Sequence, residues 1–77
     1  MIKEHDRVVL TADLAKEGLK AGDVGTVVHI HAQGEAFEVE FLRLDGKTVA
    51  IATVLNSQLR PVTHRDITHA RPLEISA

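Results

Sequence analysis

The chain has 77 residues, with 9 Lys and Arg against 11 Asp and Glu, no Cys, no Trp or Tyr, 2 Phe, and a formal net charge of -2. A single domain of this size buries only about 60% of its unfolded surface, so the core is small and a large substrate cleft is excluded. The charge balance gives no overall attraction to nucleic acid or to an acidic membrane surface, disulfide staples are excluded, and no run approaches the roughly eighteen apolar residues of a membrane span.

In chain order, "MIKEHDRVVL" lacks the long apolar core of a signal peptide, which with the absence of Cys points to a cytoplasmic protein. The β-branched run at 7–11 predicts a first strand. "ADLAKEGLKAGD" predicts a long loop, because Gly18 and Gly22 break any helix begun by Ala15, Lys16 and Glu17. Strands follow at 24–32 and 36–42, joined through a tight turn at Gln33-Gly34. "LDGK" carries an Asp-Gly turn signal before a strand at 48–55, "NSQ" is a turn, and 59–62 is a short last strand that Pro61 confines to an edge.

A two-residue loop at Gln33-Gly34 places Ile30 opposite Phe37, Val28 opposite Val39 and Thr26 opposite Phe41, and so gathers the large apolar groups on one face. His29, His31, Glu38 and Glu40 then share the opposite, exposed face. His29 lies opposite Glu38, and Glu38 is diagonally in reach of His31. Two His and one carboxylate fall short of a metal site, so no metal or other cofactor is expected there. For the second hairpin, a two-residue loop puts Ala50, Ala52 and Val54 opposite the Phe37, Val39 and Phe41 face. A type I turn with a glycine bulge puts Val49, Ile51 and Thr53 there instead, and is the favoured register because Ile51 then packs on Phe41.

Five short strands with tight hairpins read as an all-β unit, most simply a small barrel over 1–62 followed by a tail over 63–77. "DRVVLTADL", "GLKAGDVGTVVHI", "EVEFLRLDGKTVAIATV" and "LRPV" resemble a family of short bacterial proteins known as a domain of unknown function. That resemblance implies a five-stranded SH3-like barrel with no agreed catalytic role. A similar opening occurs in barrels that act as docking parts of larger assemblies, such as the β-subunit of nitrile hydratase and small photosynthetic electron-transfer subunits. No catalytic residues carry over. Gly22, Asp23, Gly25 and Thr26 are the matched element, read as a sharp loop-to-strand bend in which Asp23 bonds its own backbone. An anion held by the same turn is the alternative reading.

No enzyme is expected, since no nucleophile is set beside a base in a cleft. Nucleic-acid binding is the runner-up: both Phe belong to the core, and Arg43, Lys47, Arg60, Arg65 and Arg71 are scattered among acids. The leading expectation is a protein-binding module whose partner is another protein or a second copy of the chain. The tail carries the candidate surface, with Arg65, Ile67, His69, Arg71, Leu73 and Ile75. Ile67, Leu73 and Ile75 should be buried against the barrel or a partner, with one or two helical turns over 63–71 ended by Pro72 and hydrogen bonds from Asp66 or Arg71.

Overall fold

The computed structural model describes residues 1–73 and is all-β. Five antiparallel strands, β1 (Arg7–Leu10), β2 (Val24–His31), β3 (Ala36–Leu42), β4 (Thr48–Leu55) and β5 (Leu59–Pro61), form one sheet in the order β4-β3-β2-β1-β5. The sheet is open. β4 and β5 are its two edges, linked by a single 3-10 turn at Asn56–Gln58, so the closure expected of a barrel is not made by hydrogen bonds. Pro61 lies on an edge strand, where its missing N–H costs no ladder bond.

Alternate residues of four strands build the core: Val8 and Leu10, Val27, Phe37, Val39 and Phe41, and Ala52 and Val54, closed at the ends by Leu19 and Leu59. The first hairpin agrees with the expected pairing only near its turn, where His29, Ile30 and His31 oppose Glu38, Phe37 and Ala36. Its loop is four residues long, with positive φ at Ala32 (47), Gln33 (59) and Gly34 (100). Farther along, a bulge between Val27 and His29 shifts the register. Val27, not Val28, then opposes Val39, and Thr26 opposes Glu40 rather than Phe41. Val27 is fully buried while Val28 is 40% exposed.

The reason for the shift stands opposite Gly25. A Cβ built on this glycine would lie 2.5 Å from Val39 Cγ1 and 2.9 Å from Phe41 Cε1. The space a side chain would fill is therefore taken first by Val39 and then by the Phe41 ring, and the bulge brings the glycine to them. Gly25 serves packing inside β2, not the loop-to-strand bend expected from sequence.

The second hairpin contains the expected glycine bulge, with Gly46 at φ 87, its N–H on the Arg43 carbonyl and the Arg43 N–H on the Lys47 carbonyl. A second irregularity between Phe41 and Leu42 offsets it. Ala50, Ala52 and Val54 thus oppose Phe41, Val39 and Phe37, so the favoured register is overturned and Ile51 points outward, 58% exposed. Small alanines beside the bulky β3 row let both Phe rings pack inside.

Between β1 and β2, a 3-10 turn at Ala15–Glu17 stops at Gly18, and Leu14 and Leu19 pair so that Leu19 drops into the core. The tail makes no helix in its described part. Instead Thr63 and Asp66 close a turn, the Asp66 N–H donating to the Thr63 carbonyl and the Thr63 N–H to Asp66 Oδ2 at 2.7 Å. Ile67 is 92% exposed, so its expected burial against its own chain does not occur; Ile75 lies outside the described residues.

Removal of buried methyl groups should separate the two registers. Val27→Ala is expected to lower stability by roughly 2 kcal/mol, whereas Val28→Ala should stay within about 0.5 kcal/mol of the parent. Gly25→Ala should destabilise by at least about 1–3 kcal/mol through overpacking against Phe41. Urea unfolding of the three variants checks the pattern; a larger loss for Val28→Ala than for Val27→Ala would restore the unbulged hairpin.

Candidate functional site

The "GDVGT" element folds as a tight turn around a carboxylate. Asp23 Oδ2 accepts the Lys20 N–H at 2.9 Å while the Asp23 N–H donates to the Lys20 carbonyl at 3.0 Å. Gly22, at φ 97, carries the chain through the turn, and Asp13 Oδ1 accepts the Ala21 N–H at 2.8 Å. Asp23 is buried, and its remaining lone pairs are met from the far end of the chain. Arg71 donates from Nε to Oδ1 at 2.8 Å and from Nη2 to Oδ2 at 2.6 Å, with Nη2 also on the Gly18 carbonyl at 3.0 Å. His69 Nε2 adds a bond to Oδ1 at 3.2 Å. The imidazole lies flat enough on the turn that a Cβ at Gly22 would stand 3.2 Å from His69 Cε1.

Burial is the largest influence on the Asp23 carboxyl and pushes it up, yet the bonds from Arg71, the Lys20 N–H and His69 together hold it below its ordinary 3.8. The turn therefore presents a negative charge and receives cations. An anion seat at this turn, the alternative considered from sequence, is contradicted by the carboxylate in its centre.

This attachment lays the tail across the face of the sheet opposite the core. On that face stand Arg7 and Val9 of β1, Val24 and Thr26 of β2, and Glu40 and Leu42 of β3. Arg60 holds the tail's first turn with a two-pronged bond to Asp66 at 2.8 and 3.0 Å. Hydrogen bonds from Arg60, and then from the Thr63 N–H, keep the Asp66 carboxyl far below the usual carboxylate range. Between the tail and the β3–β4 turn an open groove of about 970 Å³ remains. Its apolar wall includes Val24, Leu42, Leu44, Val49, Ile67 and Leu73, and Leu44 is 94% exposed.

Of the four arginines that line the groove, three are paired, Arg43 with Asp45, Arg60 with Asp66 and Arg71 with Asp23, and the exposed Arg7 makes no ion pair among the described residues. Elsewhere on the same sheet face, Glu38 Oε2 accepts bonds from Thr53 Oγ1 and His31 Nε2, both at 2.7 Å, and these, with Thr53 first, hold its carboxyl below the ordinary value. The diagonal His31 contact thus replaces the directly opposed His29–Glu38 pair expected from sequence. His29 packs edge-on against His31 with ring centroids 4.7 Å apart, and Glu40 accepts a bond from Thr48 Oγ1. Among the described residues no three His, Asp or Glu side chains converge as a metal site.

Of the tail residues singled out by sequence, Ile67 and Leu73 line the groove, while His69 and Arg71 also border it but spend their polar atoms on Asp23. Arg65 is exposed and outside the groove, with its backbone N–H on Thr63 Oγ1. Val24, Leu42 and Leu44 line the groove without having been singled out from sequence. For Leu44 the signal is present in "LRLDGK", where an apolar residue occupies a turn that solvent exposure favours as polar. A helix able to cross a membrane is not found among the described residues.

A family model described as a domain of unknown function, DUF4926, matches residues 4–61, and the chain belongs to that family. No curated protein and no solved structure matches it.

Because the Asp23 carboxyl is held below 3.8 in the folded chain, its contribution is complete above that pH and is lost as the pH falls through the lowered value. Exchange of the Arg71 Nε proton, which is donated to Asp23, should therefore stay slow down to about pH 4, once corrected for intrinsic rates, and become fast in stronger acid. Arg71→Ala should move the chemical shifts of residues 66–70 toward those of an unfolded peptide at neutral pH and cost roughly 1–3 kcal/mol, since it strips a buried carboxylate of its principal donor. Unchanged shifts in Arg71→Ala would remove Asp23 as the tail's anchor.

Proposed function

We propose that this member of the DUF4926 family is a non-catalytic protein-binding module whose groove, between the tail and the β3–β4 turn, accepts an extended apolar segment of a partner protein. One observation carries the reading. Among the described residues, Val24, Leu42, Leu44, Ile67 and Leu73 are all large, apolar, exposed and gathered on this groove. A small chain has little reason to leave such side chains together in water unless another surface covers them. The chain's lack of Cys suits a reducing cytoplasm as the place of action.

Partner chemistry follows from a largely neutralised rim. With Arg43, Arg60 and Arg71 each paired to a carboxylate, Arg7 is the one lining arginine without an ion pair among the described residues, so a phosphate backbone gains a single ready cation here and would have to displace carboxylates to reach the others. Both Phe are buried, so neither serves as a platform on which bases stack. An apolar side chain with peptide groups on either side suits the groove better than a nucleic acid. His31 and Glu38 stand on an open sheet face, and the proposal gives them no catalytic role.

The test uses the full chain as bait in extract from its native host, with the retained protein identified, purified and titrated. Leu44→Asp or Ile67→Asp is expected to weaken that binding at least tenfold without moving the melting temperature, because both side chains are exposed in the free chain. Unaltered affinity in both variants overturns the groove assignment. Retention of nucleic acid that falls away steeply as salt is raised supports the runner-up instead.

A further inference from the structure

The two edges of the sheet are treated very differently. β5 is three residues long and carries Pro61, and the chain after it turns back through the Arg60–Asp66 contact. Such an edge resists the addition of another strand. β4 is eight residues long, "TVAIATVL", with no charge, no Pro and no bulge within its central part, and it pairs with β3 alone. Apart from that ladder, the backbone bonds between elements among the described residues involve none of residues 48–54. Antiparallel pairing on one side only leaves the peptide groups of alternate β4 residues facing solvent, in a strand of high β propensity.

We propose that β4 is a dimerisation edge, pairing antiparallel with β4 of a second copy so that the two sheets run continuously across a two-fold axis. The sequence of the strand singles out a second copy as the occupant. A two-fold axis normal to a sheet can place opposite one another only residues that share a face, so the axis must pass through a residue position. Centred on Ile51, the strand is complementary to itself. Ile51 meets Ile51 of the other copy, Ala50 meets Ala52 on the core side, and Val49 meets Thr53 on the outer side. No charged residue faces another across the axis, and the alanine pair lets the two cores meet without a clash.

Ile51, more than half exposed in the single chain, is covered by its counterpart. Thr53 and Thr48 are already tied back to Glu38 and Glu40, so those carboxylates lie one strand behind the junction and not at it. The groove shares Val49 with the junction, whereas Leu44 and Ile67, on which the proposed binding rests, lie outside the paired strand.

Sedimentation of the purified full chain across micromolar to millimolar concentrations tests the proposal. The expected result is a concentration-dependent shift to twice the monomer mass. Ile51→Lys should hold the chain at the monomer mass over the same range with an unchanged circular dichroism spectrum. Since the chain has no Cys, a single introduced cysteine reports the register: Ile51→Cys should cross-link copies under mild oxidation at least tenfold faster than Leu44→Cys. A monomer at every concentration, or equal cross-linking at both positions, overturns it.

Discussion

The carboxylate of Asp23 connects parts of the chain that lie 46 and 48 residues apart, through His69 and Arg71. Placing a carboxylate in a buried turn costs several kcal/mol unless its lone pairs are satisfied. The Lys20 N–H supplies one local donor, and the remainder must come from elsewhere. Arg71 provides two bonds in the planar fork that suits a carboxylate, and its second prong also takes the Gly18 carbonyl. The turn and the tail thus require each other, the turn to place the anion and the tail to neutralise it.

What the attachment achieves can be judged from the apolar residues it fails to bury. Ordering a residue costs about 1–2 kcal/mol of backbone entropy, whereas a hydrogen bond to a charged group returns about 1.5–3 kcal/mol. With Ile67 in solvent, the tail relies on its polar anchors at Asp66, His69 and Arg71 and is held only marginally. Marginal docking is compatible with a binding surface, because a partner that covers Ile67, Leu73 and Leu44 adds the apolar burial the free chain lacks. The tail forms one side of the groove and gives the exposed face of the sheet its shape.

Much of the fold was legible in sequence. Strands β3 and β4 fall where β-branched alternation places them, Phe37 and Phe41 are core residues, and Pro61 marks an edge. The registers were not legible, because each depends on a bulge set by packing between strands. Val39 and the ring of Phe41 need the vacant Cβ position of Gly25, and no pattern within β2 alone reveals that need. In the second hairpin the glycine bulge at Gly46 was readable from Asp-Gly, but the compensating shift beside Leu42 was not, since it answers the bulk of the β3 row. In the tail, hydrophobicity points to Ile67, which stands in solvent, while the hydrogen bonds expected of Asp66 and Arg71 are present and Arg71 reaches an aspartate that reads in sequence as purely local. The groove stayed hidden because Leu42 and Leu44 read as strand end and turn until the tail was laid beside them.

The central claim, that residues near the chain's end are seated on the turn around Asp23, is tested most directly by nuclear Overhauser spectroscopy of the full chain at neutral pH. A strong cross-peak between the His69 Hε1 proton and the Gly22 Hα protons is expected, because the imidazole packs directly against that glycine. Its absence, with Arg71 Hε exchanging as fast as in an unfolded peptide, would contradict the account.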